Sequence, residues 1–254
     1  MKKTKSIISL ALAVAMVMGT SITTFAAQPS QGEFQQYAND FESYMATSMN
    51  ARGTFSATEL VEEFIEDNGG NYDVTSLQNS HETRTMDFGN NTAVILDGAM
   101  IYVNGVNDVE VTPERLAKGA IDVNAKNYST RSTTPIKSYY HAVYALVLGQ
   151  ELYRITQEAQ FTYNGSSVST NYSDGSYTRG FLSIWQVSDF EDSKASTITE
   201  GGVSYAKVQS SANFHYGLEI QGVGLVIQDN YCWVDARCSK SGTVKGYMDG
   251  GHDL

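Results

Sequence analysis

The chain has 254 residues, with 28 acidic against 17 basic side chains and a formal net charge of −11. No stretch clusters the Lys and Arg residues that nucleic-acid phosphates require, and the same sign argument disfavours an anionic membrane surface. The charge is uneven: residues 27–125 carry 16 acidic and 4 basic side chains, residues 126–254 carry 12 and 10.

The first 30 residues read "MKKTKSIISLALAVAMVMGTSITTFAAQPS". Lys2, Lys3 and Lys5 precede an apolar core from Ile7 to Met18, and Thr24-Phe25-Ala26 offers a small-residue cleavage site. That is the pattern of a secretory signal peptide over residues 1–26. Its apolar run is shorter than the roughly 20 residues that span a bilayer. The expected mature chain begins near Ala27, is not inserted in a membrane, and is released or loosely held at the cell surface.

Residues 27–119 read as a small acidic α+β unit. Phe34, Tyr37, Ala38, Phe41, Met45 and Met49 recur every three or four residues, placing one apolar stripe on a helix. Ser56-Ala57-Thr58-Glu59 matches a capping box and opens a second helix bearing Leu60, Val61, Phe64 and Ile65, which stops at Asn68-Gly69. The runs "TRTMDF", "TAVIL", "AMIYV" and "DVEV" follow. Asp97-Gly98 and Asn104-Gly105 suit the positive φ of tight turns, so the runs predict an antiparallel meander. Thr112-Pro113 starts a short helix ending by Gly119. Residues 120–136 are polar and aperiodic, and are expected to link two units.

From 137 to 250 the pattern is β. Tyr153, Ile155, Ala159, Phe161 and Tyr163 share one face of a strand, with Gln157 the exception, and Asn164-Gly165 turns the chain. In "AKVQSSANFHY", Ala206, Val208, Ser210, Ala212, Phe214 and Tyr216 alternate with wholly polar neighbours, as in a sheet packed on one side. "SYYHAVYALVLGQELYRI" fits a helix on composition or a hairpin turning at Leu148-Gly149-Gln150, and we expect the hairpin. Cys232 and Cys238 are six apart on the run from Leu225 to Arg237. On one strand they share a face with Val234 and Ala236, roughly 20 Å apart, too far for a disulfide. Two unpaired, buried thiols are expected, although export favours disulfides. The fold expected is α+β: a helix-plus-meander unit followed by an antiparallel β-sandwich.

The segments "LGQELYRITQEAQFTYNGSSVS", "FLSIWQV", "AKVQSSANFHY" and "VDARCSKSGTV" resemble a loose group of secreted Gram-positive bacterial proteins. The likeness lies in a "LG…L" turn, a "F.YNG..V" hairpin, a Trp strand and a late small-residue "A.F" strand. It covers roughly residues 140–246 and implies a C-terminal β-sandwich-like domain. It transfers no function and no site residues.

Chemistry must therefore be sought residue by residue. His81, His141, His215 and His252 show no metal-ligand spacing, and no serine-hydrolase elbow or phosphate-cradling glycine loop occurs. Asp189, Glu191 and Asp192, expected in a loop beside Trp185, are the candidate catalytic acids, because glycoside hydrolysis needs two carboxylates across a sugar. Trp185 is the candidate ligand-binding ring. Asp67, Asn71 and Asp73, within "EDNGGNYD", are the candidate calcium ligands, offering oxygen donors around two glycines. No cofactor is implied. The leading expectation is a secreted, non-enzymatic binding or accessory module for a surface polymer or another protein. The alternative is a secreted hydrolase acting on envelope or carbohydrate substrate.

Overall fold

The structure, a computed structural model, describes residues 31–52, 56–80, 82–89, 92–110, 112–114, 131–146, 150–180, 185–220 and 223–250. The expected signal peptide, most of the expected linker, most of the expected short helix ending by Gly119 and the expected turn at 148–149 lie outside them, as do His81 and His252.

Two helices form where the apolar stripes predict them. Helix α1 (Gln31–Arg52) buries Phe34, Tyr37, Ala38, Phe41 and Met45, and α2 (Ala57–Asn68) buries Leu60, Val61, Phe64 and Ile65. Ser56 is the N-cap of α2, but its hydroxyl meets Thr58 Oγ1 at 2.6 Å instead of closing the expected capping box. A 3-10 turn (Gly69–Asn71) leads to the short α3 (Val74–Gln78), where the Asp73 carboxylate accepts from the Thr75 amide at 3.1 Å.

The strands are β1 (Thr83–Asp87), β2 (Ala93–Asp97), β3 (Met100–Asp108), β4 (Ser132–Thr133), β5 (Lys137–Ala145), β6 (Gln150–Tyr163), β7 (Val168–Arg179), β8 (Trp185–Glu200), β9 (Val203–Ile220), β10 (Val223–Ser239) and β11 (Val244–Gly250). Every pairing is antiparallel. One sheet runs β1-β2-β3-β5-β6, with β4 and β7 also paired to β6; the other runs β11-β10-β9-β8. The β5–β6 pairing makes 137–159 a hairpin, as expected.

Asn104-Gly105 does not turn the chain. Strand β3 continues to Asp108, so no separate "DVEV" strand forms among the described residues, which leave out Val111, and Gly105 pairs with Tyr140 of β5. Glycine stands there because a Cβ would collide with the Tyr140 ring. Asp97-Gly98 does turn, with Gly98 at φ 54. Strand β3 pairs with β5 from Met100↔Ala145 to Asp108↔Lys137. The meander and the later strands therefore share one sheet, which crosses the boundary expected at 120–136. At the end of that stretch Ile136 is buried and β4 is paired.

The larger sheet is buried on both faces. Val94, Leu96, Ile101, Val103, Tyr140, Ala142 and Tyr144 share a core with the helices. Ile95, Tyr102, Tyr139, Val143, Tyr153, Ile155 and Phe161 share a second core with Trp185, Val208, Phe214, Val234 and Ala236 of the smaller sheet. Tyr153 stacks on Phe214 at 4.3 Å between centroids, near the offset distance that adds to simple burial.

Two polar exceptions sit inside the second core and meet each other. Ser210 donates to Gln157 Oε1 at 2.8 Å, and Gln157 Nε2 reaches Ser173 and Ser193 at 3.2 Å. The partner set satisfies groups whose burial alone would cost about 1–3 kcal/mol each. On the outward row of β10, Asp235 is also fully buried, because Lys207 (3.0 Å) and Arg237 (2.8 Å) close over it.

Phe214→Ala should destabilise by roughly 3–5 kcal/mol in denaturant melts. His215→Ala, on the polar face of the same strand, should stay within about 0.5 kcal/mol. Equal effects would refute the face assignment. A chain cut between Asp108 and Arg131 should still elute as one particle without denaturant, because β3 and β5 hold the pieces in one sheet; separation of the fragments would contradict that pairing.

Candidate ligand-binding cleft

The residues singled out by sequence do not converge on one site. Trp185 is 2% exposed and packs edge-on against Tyr153 at 4.9 Å, so it belongs to the core and offers no ring face to a ligand. Asp189, Glu191 and Asp192 lie within β8, not in a loop. The register runs Ser188↔Asn213, Glu191↔Ser211 and Lys194↔Gln209, so two bulges each insert one extra residue. Asp189 (φ 51) and Ser193 (φ 52) take the left-handed conformation that such kinks require.

Each of the three acids has its own structural partner. Asp189 accepts from Asn213 Nδ2 at 3.1 Å, Glu191 pairs with Lys194 at 3.1 Å, and Asp192 accepts from the Gly175 amide at 2.6 Å. The Asp192 contact ties β8 to β7 at a point where a Cβ on residue 175 would clash with Ser210 and Asp192. Nothing in this arrangement aims two carboxylates at a common point.

Of the calcium candidates, Asp67 lies in the last turn of α2, Asn71 in the 3-10 turn, and Asp73 is committed to capping α3. Among the described residues no group of three or more His, Cys, Asp or Glu side chains is placed to hold a metal ion. His141 is buried, with Nδ1 2.6 Å from Asn104 Oδ1 and its ring stacked on Tyr102 at 5.9 Å. Among the described residues no helix is long and apolar enough to cross a membrane.

A cleft of about 660 Å³ does open in the helical layer. One stripe of α1, namely Gln36, Asp40, Ser43, Tyr44, Thr47 and Ser48, forms its first wall. These positions repeat at three to four residues and so line a single helix face beside the buried stripe. Phe64, Asn68, Asn71 and Tyr72 form the other wall. Its volume falls within the range of small-ligand sites, about 300–1,000 Å³.

The cleft's chemistry is amide, hydroxyl and ring. Tyr44 and Phe64 meet edge to face at 5.4 Å, and Phe64 and Tyr72 stack at 6.4 Å. Tyr72 donates to Asp40 Oδ2 at 3.0 Å and Tyr44 to Glu63 Oε2 at 3.1 Å, which fixes both rings. Both phenols are pushed above their ordinary range, first by desolvation and then by the carboxylate each one meets. They remain neutral donors at physiological pH. Among the described residues, Asp40 is the only carboxylate lining the cleft and no Lys or Arg lines it. The sequence signal for this wall was the polar flank of the α1 stripe, but which polar residues would face α2 depends on the packing angle.

Cys232 and Cys238 form no disulfide, are fully buried, and lie on one face of β10 as the even spacing requires. Burial pushes the Cys238 thiol up to about 11, away from the thiolate form that reacts. Alkylation at pH 8 should be slow in the folded chain and yield two adducts after denaturation without reductant. Zero adducts, with the monomer mass kept, would mean a 232–238 bridge and a turn within β10. Comparison with protein-family models, curated proteins and solved structures found no match to this chain.

Proposed function

We propose that the chain is an exported, non-enzymatic binding module whose helical cleft takes a neutral, hydroxyl-rich ligand of the saccharide class. The observation that carries this reading is the cleft's lining. Amides from Gln36, Asn68 and Asn71, hydroxyls from Ser43, Thr47 and Ser48, and partly open Tyr rings offer both hydrogen-bond directions and an apolar face. Sugars present the same combination, hydroxyls around the ring edge and C–H groups on its faces. Among the described residues a charged ligand finds one carboxylate, already held by Tyr72, and no cation.

Export rests on residues 1–26, with their basic start, apolar core and small-residue cleavage site. The facing of the two sheets supports a β-sandwich as the carrier. A surface polymer built of sugars is the ligand such a module would meet outside the cell. The hydrolase alternative is less well supported: two-acid hydrolysis needs carboxylates about 5–10 Å apart, and Asp40 has no second acid beside it in the cleft.

A neutral-oligosaccharide array probed with the mature chain should give saturable hits. Gln36→Ala and Asn71→Ala, both at exposed positions, should each weaken them roughly three- to tenfold, the worth of one hydrogen bond. Lys194→Ala, on the opposite layer, should leave them unchanged. An array without hits, or hits indifferent to both cleft variants, would defeat the proposal.

A further inference from the structure

The two sheets are not equally wide, and their mismatch builds a second surface. Strand β11 packs over β5, where Gly246 lies so close to Tyr139 that a Cβ would strike its ring. The larger sheet continues past that point through β3, β2 and β1. Ile95 and Tyr102 there still pack against the smaller sheet, so the open part is a shelf around Asp87, Ala93, Asn104 and Val106. The outer edge of β11 pairs with no strand among the described residues.

A groove of about 340 Å³ lies in this step. Asp87, Ala93, Asn104 and Val106 line it from the shelf, and Gly246 and Met248 from β11. Ala93, Asn104 and Val106 are only half-buried, whereas Ile95 and Tyr102 beside them are covered. An unpaired row of backbone donors and acceptors next to a half-covered floor has the form of a strand-addition site.

Charge and geometry choose the occupant. The groove's lining carries one carboxylate, Asp87, and no Lys or Arg among the described residues, while Asp108 on the same face is already paired with Lys137 at 3.0 Å. A segment laid there meets a net negative floor. A second copy of this chain does not fit. Antiparallel pairing of β11 with its own symmetry mate requires a two-fold axis normal to the sheet. That operation drives the mate's own shelf into the space this one occupies. Only a strand without a second layer clears it.

We propose that the β11 edge and its shelf bind one extended, basic segment of another polypeptide, which adds to the smaller sheet as a fifth strand. Its alternate residues turn down toward Ala93, Asn104 and Val106, with a cation within reach of Asp87. The others turn outward beside Tyr247.

The probe is a fluorescein-labelled heptapeptide alternating lysine and valine, titrated by anisotropy against the mature chain at concentrations where the peptide alone is monomeric. Saturable one-to-one binding is expected, together with a loss of more than tenfold when glutamate replaces lysine. Two further peptides carry N-methyl groups on alternate residues, one on each edge. One of them should lose binding and the other keep it, because only one edge of the segment bonds to β11. Asp87→Asn should weaken binding several-fold with an unchanged thermal melt, since asparagine keeps the side-chain oxygen that accepts from the Gly89 amide at 2.8 Å. Equal loss or equal retention for the two methylated peptides, or no saturation up to millimolar peptide, overturns the proposal. Asn71→Ala should leave the peptide titration intact, so failure here and failure of the cleft reading are told apart.

Discussion

The pairing of β3 with β5 is the contact on which the rest of the molecule rests. It joins strands from either side of residues 109–131 into one sheet, and a sheet that wide has two faces to cover. The helices pack against one and the β8–β11 sheet packs against the other, short of the corner at Asp87, Ala93, Asn104 and Val106. Neither layer has another apolar surface to pack against, since each is apolar on one side only. Removing that pairing would leave a three-strand meander under two helices, and a second body with half of its apolar face open.

The same constraint explains which parts of the fold could be read in advance. Elements with one wet side declare themselves through periodicity: the α1 stripe, and the alternation of β6 and β9, came out as the spacing predicts. Strand β5 has no wet side. From Tyr139 to Ala145 every residue is buried, so its sequence loses the period of two and looks equally like a helix. The Gly signals divide in the same way. At Gly98 the glycine supplies a positive φ and the chain turns; at Gly105 and Gly175 it supplies only room for a neighbouring side chain, and the strand runs on. Local sequence carries both kinds of glycine identically. The cleft was legible only in part: its α1 wall is a helix flank, but its other wall depends on where α2 and the 3-10 turn come to rest.

Polar residues within the cores act as positional constraints more than as glue. Gln157 and Ser210 interrupt two apolar faces, and each is tolerable only where the other stands opposite. Asp235 adds a third such constraint from the outer side. If β10 slipped by one residue, Asp235 would turn into the core and Cys232, Val234, Ala236 and Cys238 would turn out to water, an exchange no partner in the core could offset. The long β9–β10 hairpin thus has one register, although its small residues alone would accept several.

The shared helical core also sets an order in time. Phe34 and Tyr144 pack in one core although 110 positions separate them. A chain made at roughly 5–20 residues per second shows the apolar stripe of α1 for about 5–20 s before β5 exists to receive it. Short helices hold together poorly without such a surface. The first helices to leave the ribosome are therefore among the last elements to settle, and the long loops that must close before they do place this fold on the slow side of the contact-order relation. An acidic first half, 16 carboxylates to 4 cations, keeps such waiting chains apart by mutual repulsion.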